Sequence, residues 1–320
     1  MSLLLLSLAG STVRLAAPLI LAALAGLYAE RSGVVDIGLE GKMLAAAFAG
    51  AAAASLSGSA ALGLVVAITA AILLALLHGV ATITVGADQI VSGMALNLIA
   101  AGAAPSLAAA WFAQGGATPP LPSGARFGPI PLQMTHAISG VPLLGKVWVT
   151  IVSGQSLPVY IAWLAVPVTA LMLSRIRFGL RLRAVGESPQ AVAAAGLSVA
   201  RLRYLALVIN GGLCGIAGAS LSMAEGNGFL RDMSAGRGYL ALAALIFGKW
   251  RPGPVLLACL LFAFADAVQT ILQGQTILGV TVPVELIQAL PYLVTVVVLA
   301  GFVGAARPPR ALGRPYPPAS

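Results

Sequence analysis

Charged residues are scarce in this chain, and between Met43 and Ala87 there are none at all. Asp, Glu, Lys and Arg make up 8% of the 320 residues, where soluble proteins carry roughly 25%. A water-soluble domain cannot hide 45 consecutive residues without a charge; a bilayer can, since it asks for about 20 apolar residues per crossing helix. A membrane β-barrel is excluded too, because its strands alternate over about ten residues and the long Ala, Leu and Val runs here do not. Cysteine is nearly missing. Cys214 and Cys259 both lie inside apolar runs, which suits small packing residues better than a disulfide or metal pair. His78 and His136 stand alone, and His78 reads most simply as a residue at the end of a span. With no metal, nucleophile or acid–base constellation, the chain reads as a non-enzyme that binds no cofactor. Aromatics are only 6% while Gly and Ala abound; small residues let membrane helices approach closely, so a compact multi-helix bundle is expected.

What charge there is sits between apolar runs. The net charge of +9 then reflects membrane topology rather than nucleic-acid binding. Nine apolar segments are predicted, roughly 11–29, 39–56, 60–85, 89–113, 157–174, 202–223, 237–248, 252–273 and 284–305. The fold class is thus an all-α polytopic membrane protein of about eight to ten crossings, forming a single domain over residues 1–320. Met1 to Gly10 reads as a lead into the first span. Two segments, 39–56 and 237–248, are short and follow Gly-rich, charge-bearing stretches, the pattern of broken helices that line a cavity. Arg175, Arg177, Arg181, Arg183, Arg201 and Arg203, with Lys249, Arg251 and the C-terminal arginines, mark the cytoplasmic side. The segment 114–156, with six prolines, no acid and only two basic residues, is expected outside, and the tail 306–320 inside. Residues 11–113 and 202–305 share one order of elements, and an offset of five spans turns the second copy upside down, an inverted repeat with a substrate path at its interface.

Polar residues interrupt several spans. Asp36, Glu40 and Lys42 open a short helix, where acids suit the positive end of the dipole; they read either as a cap or as a gate at a broken helix. Asn97, Asn210, Asp266 and Gln269 suit hydrogen bonding between helices or to a polar solute. The candidate path and gate set is Asp36, Glu40, Asn97, Asn210, Asp266 and Gln269. Glu225, Asn227, Arg231 and Asp232 read as a solvated loop. Gly140 to Val147 nearly fits a phosphate-binding loop but has Val147 where a hydroxyl must reach magnesium.

The segment 179–203, GLRLRAVGESPQAVAAAGLSVARLR, is polar and basic between two spans. Ser188 and Pro189 suit a helix start, Gln190 to Ala195 form helix readily, and Gly196 ends it. A short capped helix of small residues, flanked by arginines, fits a groove of another protein. This segment resembles the coupling-helix region of ATP-binding-cassette importer permeases, with Gln190 where the wider superfamily has an acid. The stretch Ala29 to Leu44, AERSGVVDIGLEGKML, is similar to nucleoside and simple-sugar permeases served by basic-membrane-protein-type lipoproteins, and Gly236 to Pro254, GRGYLALAALIFGKWRPGP, is a third match. The resemblance implies a bacterial plasma-membrane permease for a nucleoside or simple sugar. It implies three partners: a cytoplasmic ATPase that uses the ATP, a second homologous permease and an external solute-binding protein. Arg183, Gly186, Glu187, Ser188, Pro189, Gln190, Ala194 and Gly196 would contact the ATPase. The rival reading is an ion-coupled secondary transporter of a small polar solute, whose cytoplasmic segment would have no docking duty.

Overall fold

The computed structural model describes residues 2–132, 145, 148–273, 276–277, 280–281, 289, 293, 296 and 306–316. In chain order the helices are α1 (Ser2–Arg31), α2 (Leu39–Ser57), α3 (Ala60–Gly79), α4 (Gln89–Phe112), α5 (Leu157–Arg175), α6 (Arg177–Glu187), α7 (Pro189–Ala194), α8 (Val199–Ser220), α9 (Arg237–Phe247) and α10 (Pro252–Leu272). Among the described residues the only sheet is a hairpin pairing Thr276–Ile277 with Val280–Thr281. Six helices among the described residues, α1, α3, α4, α5, α8 and α10, are long and apolar enough to cross a membrane. Seven of the predicted spans fall on these elements within a few residues; the first span, expected at 11–29, instead begins nine residues earlier, so that the apolar stretch read as a lead is part of α1, and the ninth predicted span, 284–305, lies outside the described residues. The structure adds α6, which the sequence reading left as loop. Its apolar stripe Leu182, Val185 and Gly186 is buried while Arg177, Arg181 and Arg183 are exposed.

Burial ranks the helices. Most of α1 and α8 is buried, whereas α3 and α4 present Leu62, Val65, Leu73, Leu77, Met94 and Leu98 outward, as lipid-facing surfaces do. The tight spots are glycines. A Cβ on Gly211 or Gly215 of α8 would stand 2.6 or 2.4 Å from the Cα of Ile72 or Ile68 on α3. Glycine at four-residue spacing therefore sets how closely these two backbones meet, which explains a core built on Ala and Gly rather than on aromatics.

Two faces can be told apart by their contacts. At one, the end of α1 meets the start of α8, where Arg203 Nε donates to the Ser32 carbonyl (3.2 Å). Arg31 there donates to the carbonyl of Trp250, before α10. Toward the opposite face, Arg14 in the first half of α1 and Glu225 just after α8 line one cavity. Helices α1 and α8 are thus antiparallel, and each is followed by a polar turn and a helix, α2 or α9, that starts inside the bundle. The second half of the expected inverted repeat runs on through the span 284–305, which lies outside the described residues. The Pro-rich stretch after α4 covers the second face: the N–H groups of Thr118, Leu121 and Phe127 donate to the carbonyls of Phe229, Asn227 and Met223.

Candidate functional site

The starts of α2 and α9 meet inside the bundle. Asn210, opposite them on α8, lies about 17 Å along the axis from Val199 at 1.5 Å per residue. Lys42 is fully buried, and its Nζ donates to Asp36 Oδ2 (2.5 Å) and to Asn210 Oδ1 (2.9 Å). Asp36 Oδ1 accepts the Gly38 N–H (3.1 Å). Burying two ions is costly unless both are paired and hydrogen-bonded, and here both are. Glu40 reaches across to α9: Oε1 accepts the Gly236 N–H (2.8 Å) and Oε2 the Gly238 N–H (2.6 Å). One carboxylate thereby satisfies two free N–H groups at the start of α9, and its charge suits the positive end of that dipole. The approach needs glycine, since a Cβ on Gly238 would stand 2.5 Å from the Glu40 nitrogen.

Helix α4 supports the same turn. Asn97 Oδ1 accepts the Gly41 N–H (2.8 Å), while Nδ2 donates to the Ile37 carbonyl (3.0 Å) and to Tyr239 Oη (2.9 Å). Gln89 Oε1 accepts the Val35 N–H (2.6 Å). His78, read from the sequence as a span-end residue, is fully buried and bonded on both sides. The Val35 carbonyl can only accept, so Nε2 (3.0 Å) carries the proton, and in the neutral ring Nδ1 accepts from Ser92 Oγ (2.9 Å). An imidazole inside a 45-residue charge-free run was the signal for this role, because a polar group at that depth needs partners.

Of the six candidate path residues, Asp36, Glu40, Asn97 and Asn210 come together at this junction. Asp266 and Gln269 do not. They are half-buried on α10, toward the cavity face. Glu225, read as part of a solvated loop, instead forms a loose pair with Arg237 (3.8 Å). Arg231 and Asp232 are exposed as expected.

The arginine-rich face carries the second constellation. Ser188 Oγ accepts the Ala191 N–H (3.4 Å) at the start of α7, and Gly196 follows the helix at φ +76° with open space around it, matching the expected start and stop. Pro189 is buried, Gly186 is buried, and Arg183, Glu187, Gln190 and Ala194 are exposed. The tail ties this segment to the junction: the Ala311 N–H donates to the Gly186 carbonyl (2.8 Å) and the Gly313 N–H to the Gly33 carbonyl (3.2 Å). Arg203, 1% exposed, bridges Ser32 and Arg314. Neither the strap nor the burial of Arg203 was legible beforehand, since nothing in a local pattern pairs residue 186 with residue 311.

The comparisons fit this geometry. The family described as branched-chain amino acid transport system, permease component, matches residues 8–299. The guanosine ABC transporter permease protein NupQ of Bacillus subtilis is 35% identical, over 96% of this chain and 95% of its own length. The nucleoside ABC transporter permease protein NupC of Lactococcus lactis is 36% identical, over 93% of each. A second Lactococcus lactis nucleoside permease, NupB, is 27% identical over 47% of this chain and 40% of its own length. A bundle of membrane-length helices with a buried polar junction at the starts of two short helices, which matches permeases over more than nine-tenths of its length, belongs to the branched-chain amino acid transport permease family.

Proposed function

We propose that this chain is the membrane-spanning subunit of an ATP-binding-cassette importer for nucleosides, with simple sugars as the next substrate class, in the bacterial plasma membrane. The arginine-rich face is cytoplasmic and the face under the Pro-rich stretch is external. A separate ATPase grips α7 through Glu187, Gln190, Ala194 and the Gly196 turn, and an external binding protein delivers the solute. A second permease completes the channel; likeness to two different Lactococcus lactis permease chains supports a related but non-identical partner.

The observation that carries this reading is the bonded route from α7 to the junction. Arg203 and the tail join the docking segment to residues 32–33, three residues before Asp36, so displacement of α7 pulls on the turn that holds the starts of α2 and α9. ATP drives transport only if nucleotide-bound ATPase favours one arrangement of that turn over another. The test is Gly196→Trp in the assembled system. The new side chain meets open space, and its strain at positive φ costs about 1–2 kcal/mol, so the subunit still inserts. Expected are loss of ATP-driven uptake and loss of the co-purifying ATPase. Normal uptake would overturn the docking assignment, and uptake without any ATPase would favour the ion-coupled reading.

A further inference from the structure

A cavity of about 510 Å³ opens toward the face opposite the arginines, between the first half of α1, the start of α5 and the ends of α8 and α10. Its walls include Ser11, Arg14, Phe127, Ser220, Glu225 and Thr270. The buried junction does not use it. Its volume falls in the range of small-molecule sites, and its make-up, an apolar wall with a few convergent polar groups, is what such sites share. The informative atom is Ser220 Oγ. Ser220 is 1% exposed and lines the cavity, yet its hydroxyl has no partner among the described residues. A buried hydroxyl left unpaired is costly, and a polar atom of a ligand in the cavity would pair it.

We propose that this cavity is a solute site within the single subunit, formed for a nucleoside, and the proposal rests on the nucleoside reading above. Phe127 offers a ring for the base to stack on. Ser220 offers a hydroxyl that both donates and accepts, Ser11, which accepts from Arg14, offers a donor, and Thr270, which donates to the Asp266 carbonyl, offers an acceptor, the mixture a ribose diol requires. Arg14 and Glu225 offer one charge of each sign, which suits a neutral ligand with donors and acceptors better than an anion or a cation. An acyl chain would leave these groups dry and unpaired. The site also touches the transport machinery. Glu225 pairs with Arg237, the first residue of α9, which lies between the two glycines held by Glu40. A ribose whose hydroxyls donate to the Glu225 carboxylate competes with Arg237 for it, weakens that loose pair and frees the start of α9.

The test is solute protection of a cysteine in vesicles carrying both permeases and the ATPase, without binding protein. Cys214 and Cys259 are fully buried and give no background. Ala224→Cys places a thiol on the cavity wall for a charged thiol reagent. Millimolar guanosine should slow labelling about tenfold, and adding Ser220→Ala should raise the half-protecting concentration by a similar factor, the loss of one hydrogen bond. Equal protection by leucine would overturn the nucleoside assignment. Labelling unchanged by guanosine, while the complete system still imports it with ATP, would overturn the cavity site and leave the permease reading standing. Unchanged labelling with no ATP-driven uptake of any nucleoside or sugar would overturn both.

Discussion

The junction and the cavity contain the same kinds of side chain and use them in opposite ways. At the junction, Asp36, Lys42 and Asn210 are all fully buried, and Lys42 is bonded to both of its neighbours. At the cavity, Glu225 and Arg237 are each 21% exposed and 3.8 Å apart, and Arg14 is exposed. The first set holds the starts of two broken helices; the second keeps polar atoms available. Residue type alone does not separate scaffold from recognition. The pairing of the charges does, since each region also holds a buried polar atom with no partner among the described residues, Asn210 Nδ2 and Gln89 Nε2 at the junction and Ser220 Oγ at the cavity.

Four substitutions test this contrast, in order of expected effect. Asp36→Ala leaves the Lys42 ammonium buried without its counter-charge, a loss of about 3–5 kcal/mol. The expected result is little folded subunit on size-exclusion chromatography of detergent extracts. Normal yield would mean that the pair is not structural. Glu40→Gln removes the charge at the start of α9 and leaves one acceptor where there were two, at about 1–3 kcal/mol. The subunit should be recovered in near-normal amount while ATP-driven uptake falls severalfold; unchanged uptake would make Glu40 a cap and no more. Ala311→Pro deletes the N–H that bonds Gly186, about 1 kcal/mol, and should lower uptake at constant subunit level if the strap transmits motion. Glu225→Gln breaks a loose, partly exposed pair, so thermal unfolding should change by no more than about 0.5 kcal/mol. A large loss of stability there would erase the distinction between the two regions.

Much of the fold was legible from residue order. The charge-free run, the arginine clusters and the Gly-rich turns placed eight helical segments, and Ser188, Pro189 and Gly196 marked α7 because caps and stops are local chemistry. Helix α6 was missed since four arginines in nine residues hide a stripe that is visible only once the helix is folded back on α5. The site was half legible. Asp36, Glu40, Asn97 and Asn210 stood out as polar residues in apolar surroundings, but their partners did not. Glu40 bonds residues 236 and 238, and Lys42 bonds residue 210, separations at which sequence carries no register. Asp266 and Gln269, singled out by the same criterion, fell on another wall.

Composition and spacing by themselves determined that this chain lives in a bilayer, where most of its helices begin and end, and which segments carry the positive charge. These follow from solvation and short-range backbone chemistry, which act on neighbours along the chain. Only the folded bundle decided which polar groups are consumed by one another and which remain open to a solute. That choice depends on distances between residues remote in sequence, set by glycine contacts that bring helices to within a few ångströms.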